Sequence, residues 1–196
     1  MIVNCISKLL SGFLRVIFLM SVKGRENVPK EGGFFLCSNH SSYWDPVVLG
    51  ATSPRRTGFM AKEELFKNPV FGRLIKALGA YPIKRGGHGD IAAVRCAMEI
   101  VRSGKVTVIF PEGRRVRSRE DRSKIKNGIV KLAIQTKSPI QPVGINSKYR
   151  LFGRLKVVYG KPIYYDEYYG KKPSDEELDK LAQDLMDTIY ELGEMK

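Results

Sequence analysis

From residue 33 onward, short apolar runs alternate with stretches of helical periodicity, and no repeat or low-complexity tract interrupts the rhythm. That alternation constrains the fold to the α/β class, because strands separated by helices pair in parallel and bury both faces. Phe34-Phe35-Leu36-Cys37, bounded by Gly32-Gly33, reads as a strand, and Asp45-Pro46 then supplies an N-cap and a first-turn proline for a short helix. Gly58 to Ala61 reads as a strand, Pro69 to Leu78 as a helix stopped by Gly79, and Ala80 to Ile83 as an extended segment. Asp90 caps a helix in which Ile91, Val94, Ala97, Met98 and Val101 recur at helical spacing before Ser103-Gly104 ends it. Val106 to Phe110, Ile140 to Ile145 and Leu155 to Tyr159 read as strands, and Gly128 to Thr136 as a helix. Ser174-Asp175-Glu176-Glu177 is a capping box, opening a helix with a stripe of Leu178, Leu181, Leu185, Met186, Ile189 and Leu192. With 196 residues the chain suits one core. The expectation is therefore a single α/β domain, with a mixed, largely parallel central sheet flanked by helices.

Charge bears on partners. The net charge is +14, but the last 23 residues hold eight acids and two lysines, a net of −6, so the other 173 carry +20. A field of that sign attracts polyanions in general. Residues 1–22 narrow the choice: they are mostly apolar, but Lys8 and Arg15 cut them into pieces shorter than the roughly 20 residues a spanning helix needs. No small-x-small cleavage site follows Val16-Ile17-Phe18-Leu19-Met20, so the segment is read as retained. An amphipathic helix lying in a membrane interface fits it, with a core helix as the alternative. The chain thus divides into an interface segment at 1–22 and the main domain at 23–196, with an anionic membrane surface as the expected partner. A nucleic acid is not expected, since the basic run lacks interleaved aromatics and no nucleic-acid motif occurs. Cys5, Cys37 and Cys96 form no C-x-x-C pair, which indicates neither a disulfide framework nor a zinc site and is consistent with a cytosolic face.

Asn39-His40-Ser41-Ser42-Tyr43-Trp44-Asp45 sets an imidazole and a carboxylate five positions apart in a loop after a strand. On an ideal helix such residues lie about 140° apart, so the pair can meet only if the loop folds the ring back over the helix N-terminus. If they meet, the imidazole can take a proton from a hydroxyl while the carboxylate fixes its tautomer. The sequence has no G-x-S-x-G elbow, so the simplest nucleophile is one the substrate brings. From spacing alone, a capping aspartate beside an incidental histidine fits equally.

Phe110-Pro111-Glu112-Gly113-Arg114-Arg115 follows a buried-type strand, where functional loops of α/β sheets cluster. Guanidinium groups bind phosphate bidentately, and Gly113 would let a ligand approach the backbone. Glu112 would repel phosphate, so its expected place is beside Arg85 or Arg115, or on an acceptor hydroxyl. Gly79 to Arg85 brings another basic pair, Lys84-Arg85, to the end of an extended segment. Gly87-His88-Gly89-Asp90-Ile91-Ala92 matches the G-x-G-x-x-A dinucleotide fingerprint, with Glu112 twenty residues beyond Ala92. Against that reading, Pro82 and the Lys84-Arg85 pair interrupt the strand that the fingerprint requires.

Taken in series, Asn39-His40 to Asp45, Gly79 to Arg85, Phe110-Pro111-Glu112-Gly113 and Ile140-Gln141-Pro142-Val143-Gly144 resemble the motifs of the PlsC-type glycerolipid acyltransferases, over about residues 20 to 165. Ala61-Lys62-Glu63-Glu64-Leu65 and Lys126-Asn127-Gly128 lie between them in the same order. The resemblance implies His40 as general base and Asp45 as its orienting partner. Substrate binding would fall to Lys84, Arg85, Glu112, Gly113 and Arg115, with the Pro142 motif in the donor site or the framework. It implies transfer of an acyl group from acyl-CoA or acyl carrier protein to lysophosphatidic acid, or alternatively to another acceptor such as glycerol-3-phosphate or a lysophospholipid, with no cofactor and no metal, because a thioester is already activated. Arg114 departs from the pattern, as the family usually has Thr or Ser there. A non-catalytic membrane- or carrier-binding module would share the basic face but would have no need of His40 paired with Asp45.

Overall fold

A computed structural model describes residues 12–77, 79–83, 88–116, 125, 127–146 and 148–194. Its strands are β1 (Ser21–Lys23), β2 (Phe34–Ser38), β3 (Thr57–Lys62), β4 (Ala80–Ile83), β5 (Val106–Ile109), β6 (Ile140–Ile145) and β7 (Lys156–Tyr159). Helix α1 is described at residues 12–17, followed by α2 (Asp45–Thr52), α3 (Pro69–Ala77), α4 (His88–Arg102), α5 (Gly128–Thr136) and α6 (Asp175–Glu194).

The seven strands form one sheet in the order β1-β7-β6-β2-β5-β3-β4, parallel throughout except where β7 runs antiparallel to β6. Strand β2 is buried at every position because both its faces are covered. Phe34 and Leu36 pack on one side with Leu14, Val48, Leu49 and Ile75 of α1, α2 and α3. Phe35 and Cys37 face the other side, against Ala97 and Val101 of α4, Val130 and Ala133 of α5, and Leu185 and Ile189 of α6. The continuous apolar run in the sequence is thus the signature of a strand between two helical layers. The capping box closes as expected: Ser174 N–H donates to Glu177 Oε2 at 2.7 Å and Glu177 N–H to Ser174 Oγ at 3.1 Å.

Two helix starts differ from the sequence expectation. Trp44, not Asp45, is the N-cap of α2, because the Asp45 carboxylate turns back onto the loop before it. Helix α4 begins at His88, two residues ahead of Asp90. The N-terminal segment also contains strand β1, whose three residues are too few to show periodicity but pair in parallel with β7. Leu14, Phe18 and Met20 belong to the same core as β2 and α2. No helix among the described residues is long and apolar enough to cross a membrane.

The Pro142 motif has a backbone explanation. Proline has no N–H, yet Pro142 lies inside a central strand. Gly160 N–H donates to Pro142 O at 2.9 Å. The return bond to Gly160 O comes from the Gln141 side chain, Nε2 to O at 2.7 Å. Gln141 thus supplies the donor that proline lacks. Gly144 is the crossing point of α6 over β6, since a Cβ there would sit 2.1 Å from Gly193 N. Gln141→Leu should therefore lower stability by about 1–3 kcal/mol through an unsatisfied buried carbonyl, measured by urea unfolding. A loss below a few tenths would show that water replaces the amide.

Candidate active site

Strands β6, β2 and β5 are neighbours, and their carboxyl ends carry the polar loops, as ligand sites of parallel sheets do. His40 follows β2, Glu112 follows β5, and the end of β6 is tied to the β2 loop by the Asn39 side chain. Asn39 Nδ2 donates to Ile145 O at 2.9 Å, and its Oδ1 accepts Ile145 N–H at 2.9 Å. An amide so placed extends β6 as a strand residue would. The residue before His40 therefore docks the loop on the sheet.

The loop then folds the imidazole back over the start of α2. His40 Nδ1 lies 2.8 Å from Asp45 Oδ2, and the same oxygen accepts Ser41 N–H at 2.7 Å and Ser42 N–H at 2.8 Å. The other oxygen, Oδ1, accepts the Tyr149 hydroxyl at 2.5 Å. Asp45 is fully buried, so these bonds compensate its lost hydration. Burial, then the neighbouring Asp45 charge, pushes the Tyr149 phenol far above its usual pKa, and the ring remains a donor. A carboxylate at Nδ1 places that nitrogen's proton toward Asp45 and leaves Nε2 with its lone pair. Nε2 has no hydrogen-bond partner among the described residues. The imidazole is stacked on Phe110, centroids 4.1 Å apart and planes 20° off parallel.

Glu112 fixes the backbone of the same residue. Its Oε2 accepts His40 N–H at 2.6 Å and its Oε1 accepts the Tyr190 hydroxyl at 2.5 Å, while Val116 N–H donates to His40 O at 2.7 Å. Burial raises the Glu112 pKa, and the bonds from Tyr190 and His40 oppose that rise. Each oxygen thus accepts one bond from within the protein, while Arg85, one of the partners expected for Glu112, lies outside the described residues. Gly113 turns with φ 66°, and a Cβ there would meet nothing within 4 Å; its left-handed backbone is what calls for glycine. The Arg115 guanidinium stacks 3.7 Å over the Tyr43 ring, beside the loop. Lys84 and Arg85 lie outside the described residues, so the basic pair is not located relative to His40. Strand β4, which precedes the G-x-G-x-x-A match, is an edge strand, unlike the buried strand that a dinucleotide site uses.

Tyr149, Tyr190 and Phe110 have no readable role in the sequence. They come from the β6–β7 loop, α6 and the strand end, 104 positions from Asp45 in the case of Tyr149 and 78 from Glu112 in the case of Tyr190. Neither hydroxyl of the flanking serines is bonded to His40: Ser41 Oγ is buried without a partner among the described residues, and Ser42 Oγ accepts Trp44 N–H at 3.2 Å. Among the described residues the site thus pairs an imidazole with a buried carboxylate and sets no serine hydroxyl on the ring.

An imidazole held in this way can take a proton from a hydroxyl. The family model "Acyltransferase" matches residues 20–146. A 1-acyl-sn-glycerol-3-phosphate acyltransferase of Bacillus subtilis (strain 168) is 31% identical over 88% of this chain and 87% of its own length. One from Streptococcus pneumoniae is 29% identical, over 92% and 71% respectively. The crystal structure of PlsC, the 1-acyl-sn-glycerophosphate (LPA) acyltransferase of Thermotoga maritima, superposes with TM-score 0.72 at 25% identity, covering 99% of this chain and 79% of that one. The chain belongs to the acyltransferase family. The dinucleotide-oxidoreductase reading of Gly87 to Ala92 is set aside.

Tyr149→Phe should leave a buried carboxylate oxygen without its donor. A charge-assisted bond of this kind contributes about 1.5–3 kcal/mol, so the melting temperature should fall by several degrees. An unchanged melting curve would show that Asp45 does not depend on the tyrosine.

Proposed function

We propose that the chain transfers a fatty acyl group from an acyl thioester, acyl-CoA or acyl carrier protein, to the free hydroxyl of 1-acyl-glycerol-3-phosphate, forming phosphatidic acid. The observation that carries this reading is the 2.8 Å contact between His40 Nδ1 and Asp45, with the other ring nitrogen available. The activity for which the Bacillus subtilis and Streptococcus pneumoniae relatives are named supports the choice of acceptor. His40 Nε2 takes the hydroxyl proton as that oxygen attacks the thioester carbonyl, and Asp45 steadies the imidazolium. The tetrahedral intermediate collapses, the C–S bond breaks, and the thiolate leaves with the proton returned by His40. Glu112 acts through the backbone: by holding His40 N–H it positions the base. Lys84, Arg85 and Arg115, with the Gly113 turn, are assigned to the acceptor phosphate, as guanidinium and ammonium groups suit a dianion. The protein works at the cytoplasmic face of a membrane, held there peripherally through residues 1–22.

His40→Ala should reduce transfer by about 100-fold or more while the melting temperature stays near that of the wild type, and Asp45→Asn should be severely impaired. The assay is mass detection of diacyl product from acyl-CoA and a lysophospholipid panel. Near-normal turnover by folded His40→Ala would overturn the mechanism.

Arg85→Ala should cost about 10- to 150-fold in kcat/KM on a phosphorylated acceptor, and much less on one lacking the phosphate. A mutant-by-substrate cycle reads the difference. Equal losses on both acceptors would move Arg85 to the donor site or the framework.

A further inference from the structure

The β6–β7 loop carries more than Tyr149. Leu151 and Phe152 follow it in the sequence and are 66% and 58% exposed. Their backbone lies against the end of α1: Phe152 N–H donates to Ile17 O at 2.8 Å and Leu155 N–H to Phe18 O at 2.9 Å. On α1 itself Phe13 and Val16 are exposed while Leu14 is buried, so the helix has one docked and one open side. Phe18 joins the two elements to a third, with edge-on contacts to Tyr149 at 5.8 Å and to Trp44 at 5.9 Å between centroids. Trp44 and Tyr43 are themselves exposed, immediately before Asp45. Three segments distant in sequence thus bring large apolar side chains to solvent around the mouth of the His40 loop.

Two further observations say what covers them. Residues 12–19 and 148–154 contain Arg15, Lys148, Arg150 and Arg154, all exposed, and no acid. An apolar surface set among cations only is complementary to a leaflet of anionic lipid, whose acyl boundary takes the rings and whose phosphates meet the charges. The backbone is also strained here. Leu19, Phe152 and Arg154 have φ of 44°, 56° and 55°, three of the four non-glycine residues with positive φ among those described. Glycine would normally occupy such positions. The glycine of this turn, Gly153, stands instead where a Cβ would come within 2.4 Å of Lys148 O, which packs the turn and leaves Phe152 on its outside.

We propose that the 148–154 turn and Tyr43-Trp44 complete, with α1, a docking face for an anionic phospholipid leaflet. The inference rests on the reading that the protein works at a membrane, and extends it from the N-terminal segment to three elements that rim the site. The base then sits at the depth of lipid headgroups, so that an acceptor need not leave the leaflet.

Trp44 is the only tryptophan, so its fluorescence reports this face without a label. With vesicles of phosphatidylglycerol and phosphatidylcholine its emission should shift to the blue and be quenched by brominated acyl chains, with much weaker effects on phosphatidylcholine alone. Leu151→Glu with Phe152→Glu should lower vesicle partitioning by about tenfold or more, leaving the circular dichroism, the melting temperature and transfer to a short-chain acceptor below its micellar concentration unchanged. Wild-type partitioning by that variant would overturn the proposal. If Phe13→Glu with Val16→Glu releases the protein while the loop variant stays bound, the N-terminal anchor stands and the wider face falls. Loss of short-chain transfer or of melting temperature in the loop variant would assign the turn to the scaffold. A wild-type protein that ignores both vesicle types would remove membrane docking altogether, while the short-chain assay still reports acyl transfer.

Discussion

A buried carboxylate is costly unless its lone pairs are occupied, and Asp45 organises the site by meeting that requirement. Its Oδ2 draws in the amides of Ser41 and Ser42 and the imidazole of His40; its Oδ1 draws in Tyr149 from the β6–β7 loop. The charge also lies in the first turn of α2, where the helix dipole favours an anion. Four groups are thereby held by one side chain. The loop cannot relax without stripping a buried charge of its donors, and that locks the imidazole in one orientation.

The rest of the site repeats this logic with neutral and shared partners. Glu112 holds the N–H of His40, and Val116 holds its carbonyl, so the residue is fixed at backbone and ring alike. Tyr190 of α6 anchors Glu112, and α6 in turn crosses β6 closely at Gly144. The motif around Pro142, expected in the donor site or the framework, has in this arrangement a backbone role in pairing β6 and letting α6 approach it closely. Gln141 replaces the missing donor, and Gly144 makes room for the helix. The chemistry at the strand ends depends on such unreactive positions.

Placement relative to solvent adds a constraint of another kind. Phe18 is buried, yet it touches Tyr149 and Trp44, and the chain on either side of it exposes Val16 and Leu19. The N-terminal segment thus serves the core and the surface together. Residues 1–11 of that segment lie outside the described residues; in the described part, Leu14 is buried while Phe13 and Val16 are exposed.

The sequence by itself determined the layer architecture, because strands buried on both faces must be mostly apolar and helices between them must be amphipathic. It determined the capping box of α6, a local pairing of side chains three residues apart. It also placed His40 and Asp45 on one short loop, which made their pairing possible but not necessary. Only the tertiary structure decided that the loop folds back, since the donors that favour this include a hydroxyl 104 residues away. The same is true of Glu112, whose partners come from the loop after β2 and from α6, and of β1, too short for a pattern and defined by pairing with β7. Periodicity and caps are local and can be read in order along the chain. The satisfaction of a buried charge is a property of whatever segments the fold brings together, and it is invisible until they meet.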